Sequence, residues 1–381
     1  MTAMTTMTER ERYIQTVLFG SPDKIPMSVG GPRRSTRDAW KAQGLQNPDD
    51  WFNAMCAELG IRYEHATQTR VPLGVDFRMI PQFEEKVIEH KNGHYIVQDW
   101  MGNITEISDE FDYTYIRNAI DFVTRKWHKF PVETPADFKS MKTRYLPDAP
   151  GRFPADFKDR ARKLKDRDYV LSISIPGPFW QMREWCGFEP LCMMFIEQPD
   201  FIREMADFWA DYVSAMLARV FDCVTPDQIH FSEDMAYKGA SMISPKMTRE
   251  FLQPIWTRWA AQTRQAGVPI IDMDSDGKID QLIPLWIESG FNLCDPIEVA
   301  AGCDIVKYRE RFGRTMAYAG GVDKRCIAKG GKILEDEIAR IAPVVKSGGY
   351  IPGCDHGIPP DISWKNMLHF CRLIAELNGW L

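Results

Sequence analysis

Along the chain, the spacing of apolar and polar residues changes character at about residue 165. Beyond that point, short β-branched runs alternate with longer stretches whose apolar residues recur every three or four positions. That alternation builds a parallel sheet covered by helices. The strand candidates are Tyr169–Ile175, Gln228–Phe231, Val268–Met273, Phe291–Cys294, Thr315–Ala319 and Tyr350–Pro352. The clearest helix runs from Pro199 to Phe221, where Phe201, Met205, Phe208, Tyr212, Met216 and Val220 make one apolar stripe. A second opens at Ser244-Pro245, an N-cap serine before a proline at the first helical position, and continues through Phe251, Ile255, Trp256 and Trp259. Gly290 and the Gly348-Gly349 pair read as helix stops.

The first 165 residues are less regular. They carry a strand candidate at Ile25–Val29, another near Tyr63–Thr67, and a hairpin pattern from Val87 to Ile107 centred on Asn92-Gly93. No Pro/Gly/Ser-rich linker separates them from the rest, and no internal repeat is visible, so one domain over residues 1–381 is expected. The fold expectation is α/β: a (β/α)8 TIM barrel whose N-terminal part supplies the first strand and elaborations.

Composition narrows the class. The 44% hydrophobic content supports one large core, and the net charge of −6, without basic runs interleaved with aromatics, gives no footprint for nucleic acid. The opening MTAMTTMTERERYIQTVLFG has no continuous apolar core, so neither a signal peptide nor a membrane span is expected, and the location expected is cytoplasmic. Nine cysteines without a CxxC pair argue against a disulfide framework or a zinc ribbon.

In a barrel the chemistry sits where strands end. The residues after the strand candidates are strongly acidic: Glu233-Asp234, then Asp272, Asp274 and Asp276 before Gly277, then Asp295 and Glu298, then Asp323, then Cys354-Asp355-His356-Gly357. Residues two apart on a strand share a face, so Asp272, Asp274 and Asp276 can converge to hold a cation or share a proton. The alternative is that Asp276-Gly277 forms a turn and one aspartate caps a helix beginning near Lys278. His356, set among small and turn residues, is the histidine best placed for proton transfer. His65 and His230 sit in strand candidates and read as satisfied core groups, while His90, His94, His128 and His369 fall in exposed or helical contexts. Cys354 is a candidate metal ligand or nucleophile that has no lysine adjacent to lower its pKa. Arg33, Arg34 and Arg37, after the first strand, form either a carboxylate or phosphate clamp or a solvated charge run. Trp180, Arg183 and Trp185 either wall an apolar pocket holding one cation or simply pack.

The tail from Gly353 to Asn366, with His356-Gly357-Ile358, Pro360-Asp361 and Asn366, resembles the closing signature of uroporphyrinogen decarboxylases. The resemblance extends over nearly the whole chain from about residue 10. That superfamily includes methylcobamide:coenzyme M methyltransferases and corrinoid-dependent demethylases, whose zinc is held by a His-x-Cys-Gly motif and a later cysteine. Here Asp274-Ser275-Asp276-Gly277 stands at the motif and Cys354 at the later cysteine, exchanging softer ligands for carboxylates that favour harder ions. Of the family's N-terminal Arg-Gln-Ala-Gly-Arg only the spacing survives, as Arg33 and Arg37. Glu233-Asp234-Met235, Asp274–Gly277 and Gly320–Lys324 resemble most a large branch of the superfamily that is related to those methyltransferases and demethylases.

The resemblance implies a methyltransferase or demethylase component that moves a methyl group between a small methylated substrate, a corrinoid and an acceptor such as tetrahydrofolate or a thiol. It implies a divalent metal, zinc or a harder ion, at Asp274, Asp276 and Cys354. Glu233, Asp274 and His356 would carry the catalysis, and Arg33, Arg37, Trp180, Arg183 and Asp234 would bind substrate. With no Asp-x-His-x-x-Gly motif in this chain, the corrinoid would come free or on a separate corrinoid protein. A homodimer is also implied. The alternative is a cofactor-independent decarboxylase or lyase with Arg33 and Arg37 holding carboxylates and His356 moving the proton.

Overall fold

The computed structural model describes residues 6–63, 70–111 and 124–381. Eleven strands occur among them. β1 is Arg70–Pro72, and β2 (Lys86–Lys91), β3 (His94–Gln98), β4 (Ile104–Ser108) and β5 (Lys126–Lys129) form a separate antiparallel sheet. The Asn92-Gly93 turn between β2 and β3 has positive φ at both residues, 52° and 75°, which is the mirror-type hairpin turn that this dipeptide favours.

The larger sheet continues with β6 (Val170–Pro176), β7 (Gln228–Ser232), β8 (Ile270–Asp274), β9 (Leu293–Asp295), β10 (Ala317–Val322) and β11 (Tyr350–Cys354). Its order is β1-β6-β7-β8-β9-β10-β11 with every pairing parallel, and it curls into a half-barrel. Beyond β11 the extended segment at residues 27–32 lies alongside: Cys354 N–H donates to Val29 O at 3.1 Å, Ile358 N–H donates to Gly31 O at 2.9 Å, and Pro32 bridges Ile358 in parallel. The strand expected at Ile25–Val29 is thus an extended lane beside the last strand. Of the strand expected near Tyr63–Thr67, residues 64–67 lie outside the described residues.

Most observed strands run one to three residues past the apolar runs that signalled them. The signal ends where side chains turn polar, but the backbone ladder carries on, pairing Ser232 with Asp274 and Asp274 with Asp295. The two-residue alternation then sorts side chains by face. On β7 and β8, Ile229, Phe231, Ile271 and Met273 join the outer core under the helices, and Phe231 stacks on Trp259 at 5.1 Å. Inside the curl, Val170, Ile270, Leu293, Ala317 and Ile351 form an apolar floor against Tyr13 and Val17 of the helix Glu9–Val17. Above that floor the inward residues are polar, beginning with Gln228, His230 and Asp272.

The helix Pro199–Phe221 buries Phe201, Met205, Tyr212, Met216 and Val220 as the pattern predicts, and each fully buried large side chain stabilises by about 1.5–3 kcal/mol. Its Trp209 packs with Trp185 and Tyr145 and donates to Pro176 O at 2.9 Å, which fixes the end of β6 and the helix Pro178–Cys186 that follows. The stretch after Ser244 is interrupted: Pro245–Met247 passes into a π-type turn, Thr248–Leu252, before the helix Gln253–Gln265. Pro254 has no N–H to give, and a wider turn at that point absorbs the missing bond. No helix among the described residues is long and apolar enough to cross a membrane.

Candidate active site

A cavity of about 350 Å³ opens at the C-terminal ends of β8 to β11, closed on one side by Ser28, Gly30 and Gly31. Asp274, Asp276, Asp295, Cys354 and His356 line it. A larger cavity of about 420 Å³ lies at the opposite strand ends around Asp227, whose buried carboxylate is held by Arg10 and Arg167 at 2.8 Å each. Satisfied ion pairs of that kind brace the N-terminal end of the parallel sheet, so the acidic cavity is the candidate for chemistry.

His356 Nε2 lies 2.9 Å from Asp276 Oδ2, and its Nδ1 lies 3.4 Å from Arg33 Nη2. A guanidinium only donates, so this contact fits the tautomer with the proton on Nε2, shared with Asp276. The hydrogen bond to Asp276 raises the His356 pKa above the usual value, with burial pulling the other way. Asp276 is therefore a partner of His356 and not a helix cap, since the next helix starts only at Ile283. The sharp turn behind it needs Gly277: φ is +83°, and a Cβ there would sit 2.5 Å from the carbonyl carbon of Ala236. Ser275 Oγ accepts from Met235 N at 3.1 Å, tying this loop to the one after β7.

Asp274 stands deeper. Burial pushes its carboxyl up to about 6, His230 pulls it down, and Asp276 and Asp272 push further up. Ser232 Oγ donates to Asp274 Oδ2 at 3.1 Å. Below it, His230 Nδ1 is 2.7 Å from Asp272 Oδ2, which also accepts from Gln228 Nε2 at 2.7 Å. Burial lowers the His230 pKa, but Asp272, Asp295 and Asp274 together lift it to about 9. Burial pushes the Cys354 thiol up to about 12.

Of the residues singled out from sequence, the cavity gathers Asp274, Asp276, Cys354 and His356, with Arg33 beside His356. Arg37 is placed elsewhere: its guanidinium donates to Asp49 at 2.8 Å, so the two arginines do not form one clamp. Glu233 is fully buried and does not line the cavity. Its Oε2 accepts from Phe179 N at 2.9 Å and Trp180 N at 3.1 Å, and its Oε1 accepts from Trp256 Nε1 at 2.6 Å. It fastens the start of the helix Pro178–Cys186 to the end of β7, and burial pushes its pKa up to about 8 against those three donors. Trp180, Arg183 and Asp234 do come together: Arg183 stacks over Trp180 at 4.3 Å and donates to Asp234 O and Oδ2 at 2.9 and 3.0 Å. Asp234 holds a left-handed φ of 39°, a costly conformation for a residue with a side chain. Asp323 caps the helix Lys324–Lys329, and fully buried Asp355 accepts from Val299 N and Lys324 N, so both acids shape loops.

His230 is the residue that sequence reasoning passed over. Its role depends on lying beside Asp272 in the β7–β8 register, which no single strand reveals.

Residues 126–377 match the family described as uroporphyrinogen decarboxylase (URO-D). None of the curated proteins matches the chain. Among solved structures, it is similar to a methyltransferase from Methanosarcina mazei, with 15% identity, 98% of each chain covered and a TM-score of 0.57. It is also aligned with a B12-independent methionine synthase from Shewanella sp. W3-18-1 in complex with selenomethionine, with 11% identity, 94% of this chain and 95% of that one covered, and a TM-score of 0.40. The first likeness is one of fold, and the second is too distant to add to it.

Proposed function

The chain belongs to the uroporphyrinogen decarboxylase family, and on that footing we propose that it is a methyltransferase acting on a small methylated substrate, with a closed (β/α)8 barrel as its frame. The observation that carries this reading is the charge of the cavity. Three carboxylates line about 350 Å³, Arg33 stands at the rim, and Arg37 is turned away onto Asp49. A polycarboxylate substrate would meet like charge there without a two-armed clamp, whereas a compact neutral or cationic methyl donor would not. The methyltransferase from Methanosarcina mazei that shares the fold is in keeping with this.

In methyl transfer the bond from the methyl carbon to its heteroatom breaks, the electron pair stays on the heteroatom, and the carbon bonds to the acceptor. The departing heteroatom needs a hydrogen-bond or proton donor, and the His356–Asp276 pair is the group at the cavity able to supply one, once the substrate takes the place of Asp276 or Arg33 at one ring nitrogen. Arg33 and Asp276 fix the ring from its two nitrogens. Trp180, stacked under Arg183, stands in the helix after β6, beyond the residues that line the cavity, where it would meet the outer part of a larger substrate. The acceptor, a corrinoid or tetrahydrofolate, enters as a co-substrate, the corrinoid free or on a separate protein.

The metal site that the family resemblance places at Asp274, Asp276 and Cys354 does not fit these residues. The Cys354 thiol is buried and pushed up to about 12, and the three do not gather their ligand atoms into one set.

The test is to supply isotopically labelled methyl donors of small size together with tetrahydrofolate or cob(I)alamin, and to follow the label by mass spectrometry. Label appearing on the acceptor with wild-type protein, and falling at least about a hundredfold in His356→Gln, supports the reading. Release of carbon dioxide from carboxylic substrates, dependent on Arg33 and without methyl transfer, replaces it with the lyase reading.

A further inference from the structure

Beneath the cavity, between Asp274 and the apolar floor, His230, Asp272 and Asp295 each offer one ligand atom, and these atoms lie within 4.8 Å of one another. They come from three adjacent parallel strands, β7, β8 and β9, at inward positions set by the register His230↔Asp272 and Asp274↔Asp295. Donors at about 2.1 Å around a tetrahedral divalent ion are about 3.4 Å apart, so closing the widest separations in this trio by about 1–1.5 Å brings it to bonding distance.

A second observation points to a ligand. Asp272 is fully buried, Oδ2 accepts from both His230 and Gln228, and Oδ1 has no hydrogen-bond partner among the described residues. A buried carboxylate oxygen left unmatched costs about 1–3 kcal/mol or more, and structures resolve such a cost with an ordered water or an ion. Charge chooses between them. The ion pairs of Asp272 and Asp274 are both with His230, at 2.7 and 3.9 Å, so several carboxylates share one imidazole. A water supplies no charge, whereas a dication balances the set.

We propose that His230, Asp272 and Asp295 bind a divalent transition-metal ion, reached through the cavity, with Asp274 and Ser232 above it. One imidazole with two carboxylates suits the series from Mn²⁺ to Zn²⁺ better than Mg²⁺ or Ca²⁺, which prefer oxygen alone. The ion would lie one layer deeper than the position implied by the family motif, using a histidine that the motif does not contain. The inference does not depend on which reaction the cavity carries out.

The experiment uses the full-length protein without substrate. After chelator treatment and dialysis, the protein is titrated with Co²⁺ and with Zn²⁺, followed by elemental analysis, cobalt absorption and thermal unfolding. The expected result is about one equivalent bound per chain, cobalt d–d bands without a thiolate charge-transfer band, and a raised Tm. His230→Gln and Asp295→Asn should each weaken binding at least about tenfold, while Cys354→Ser and Asp276→Asn bind as wild type. Failure of wild-type protein to bind, a thiolate band, or binding lost in Cys354→Ser and kept in His230→Gln would each overturn the site. Asp295, at the cavity edge and only partly buried, is the variant to rely on should His230→Gln fail to fold.

Discussion

Replacing Glu233 by glutamine separates a structural carboxylate from a catalytic one. Glutamine presents a single acceptor oxygen where both carboxyl oxygens of Glu233 accept, from Phe179 N and Trp180 N on one side and Trp256 Nε1 on the other. Whichever way the amide turns, its NH2 group faces a donor in a site with no access to water. Keeping the two backbone bonds sacrifices the indole bond and leaves two buried donors opposed, each worth about 1–3 kcal/mol, so a loss of about 2–6 kcal/mol is expected. The pH dependence gives a second signature. Burial raises this carboxyl from 4.5 to about 8, so between those values the folded protein holds a proton that the unfolded chain releases. The wild-type contribution is therefore fully present below pH 4.5 and is lost as pH rises towards about 8, while Glu233→Gln has no such slope. The penalty should be largest near pH 5 and narrow by pH 8. Urea unfolding at the two pH values, extrapolated linearly, measures it. A variant with the wild-type urea midpoint at pH 5 but without activity would refute the reasoning and return Glu233 to the chemistry.

In Asp276→Asn the His356 pKa should fall, because the hydrogen bond that raises it is weakened; histidine NMR titration reads this directly, and an unchanged value would mean that the pair is not coupled. Gly277→Ala should lower stability by about 2–4 kcal/mol, combining the cost of a left-handed alanine with a clash against the Ala236 backbone, and an unaltered melting curve would contradict the turn geometry. Cys354, with its thiol pushed up to about 12, should alkylate far more slowly at pH 8 than an unstructured cysteine peptide, as followed by mass spectrometry; rapid labelling would show a thiolate that the structure does not account for.

The parallel strand order and the main helices were legible because burial on both faces leaves apolar runs, and one-sided burial leaves three- and four-residue spacing. Strand ends were not legible, since β7 and β8 finish in Ser232 and Asp274, polar residues that still pair in the ladder. Within the site, the run of acids and His356 stood out by residue type, and the structure joins Asp276 to His356 across 80 positions. Type misled at Glu233 and Arg37. Both follow strand candidates, as cavity residues should, but one carboxylate is drawn down to free helix N–H groups, and one guanidinium to Asp49. His230 shows the reverse: a histidine in an apolar strand looks satisfied until its neighbour across the sheet proves to be an acid.

The lane formed by residues 27–32 beside β11 means that the wall of the cavity joins segments far apart in the sequence, with Arg33 meeting His356 across 323 positions. Contacts that distant carry a large loop-closure cost and form late. During synthesis, the helices and most of the sheet can collapse while the mouth of the cavity still lacks one side. The acidic pocket then exists only once residues 354–357 have joined the fold, so a product shortened before them, however well packed elsewhere, lacks it.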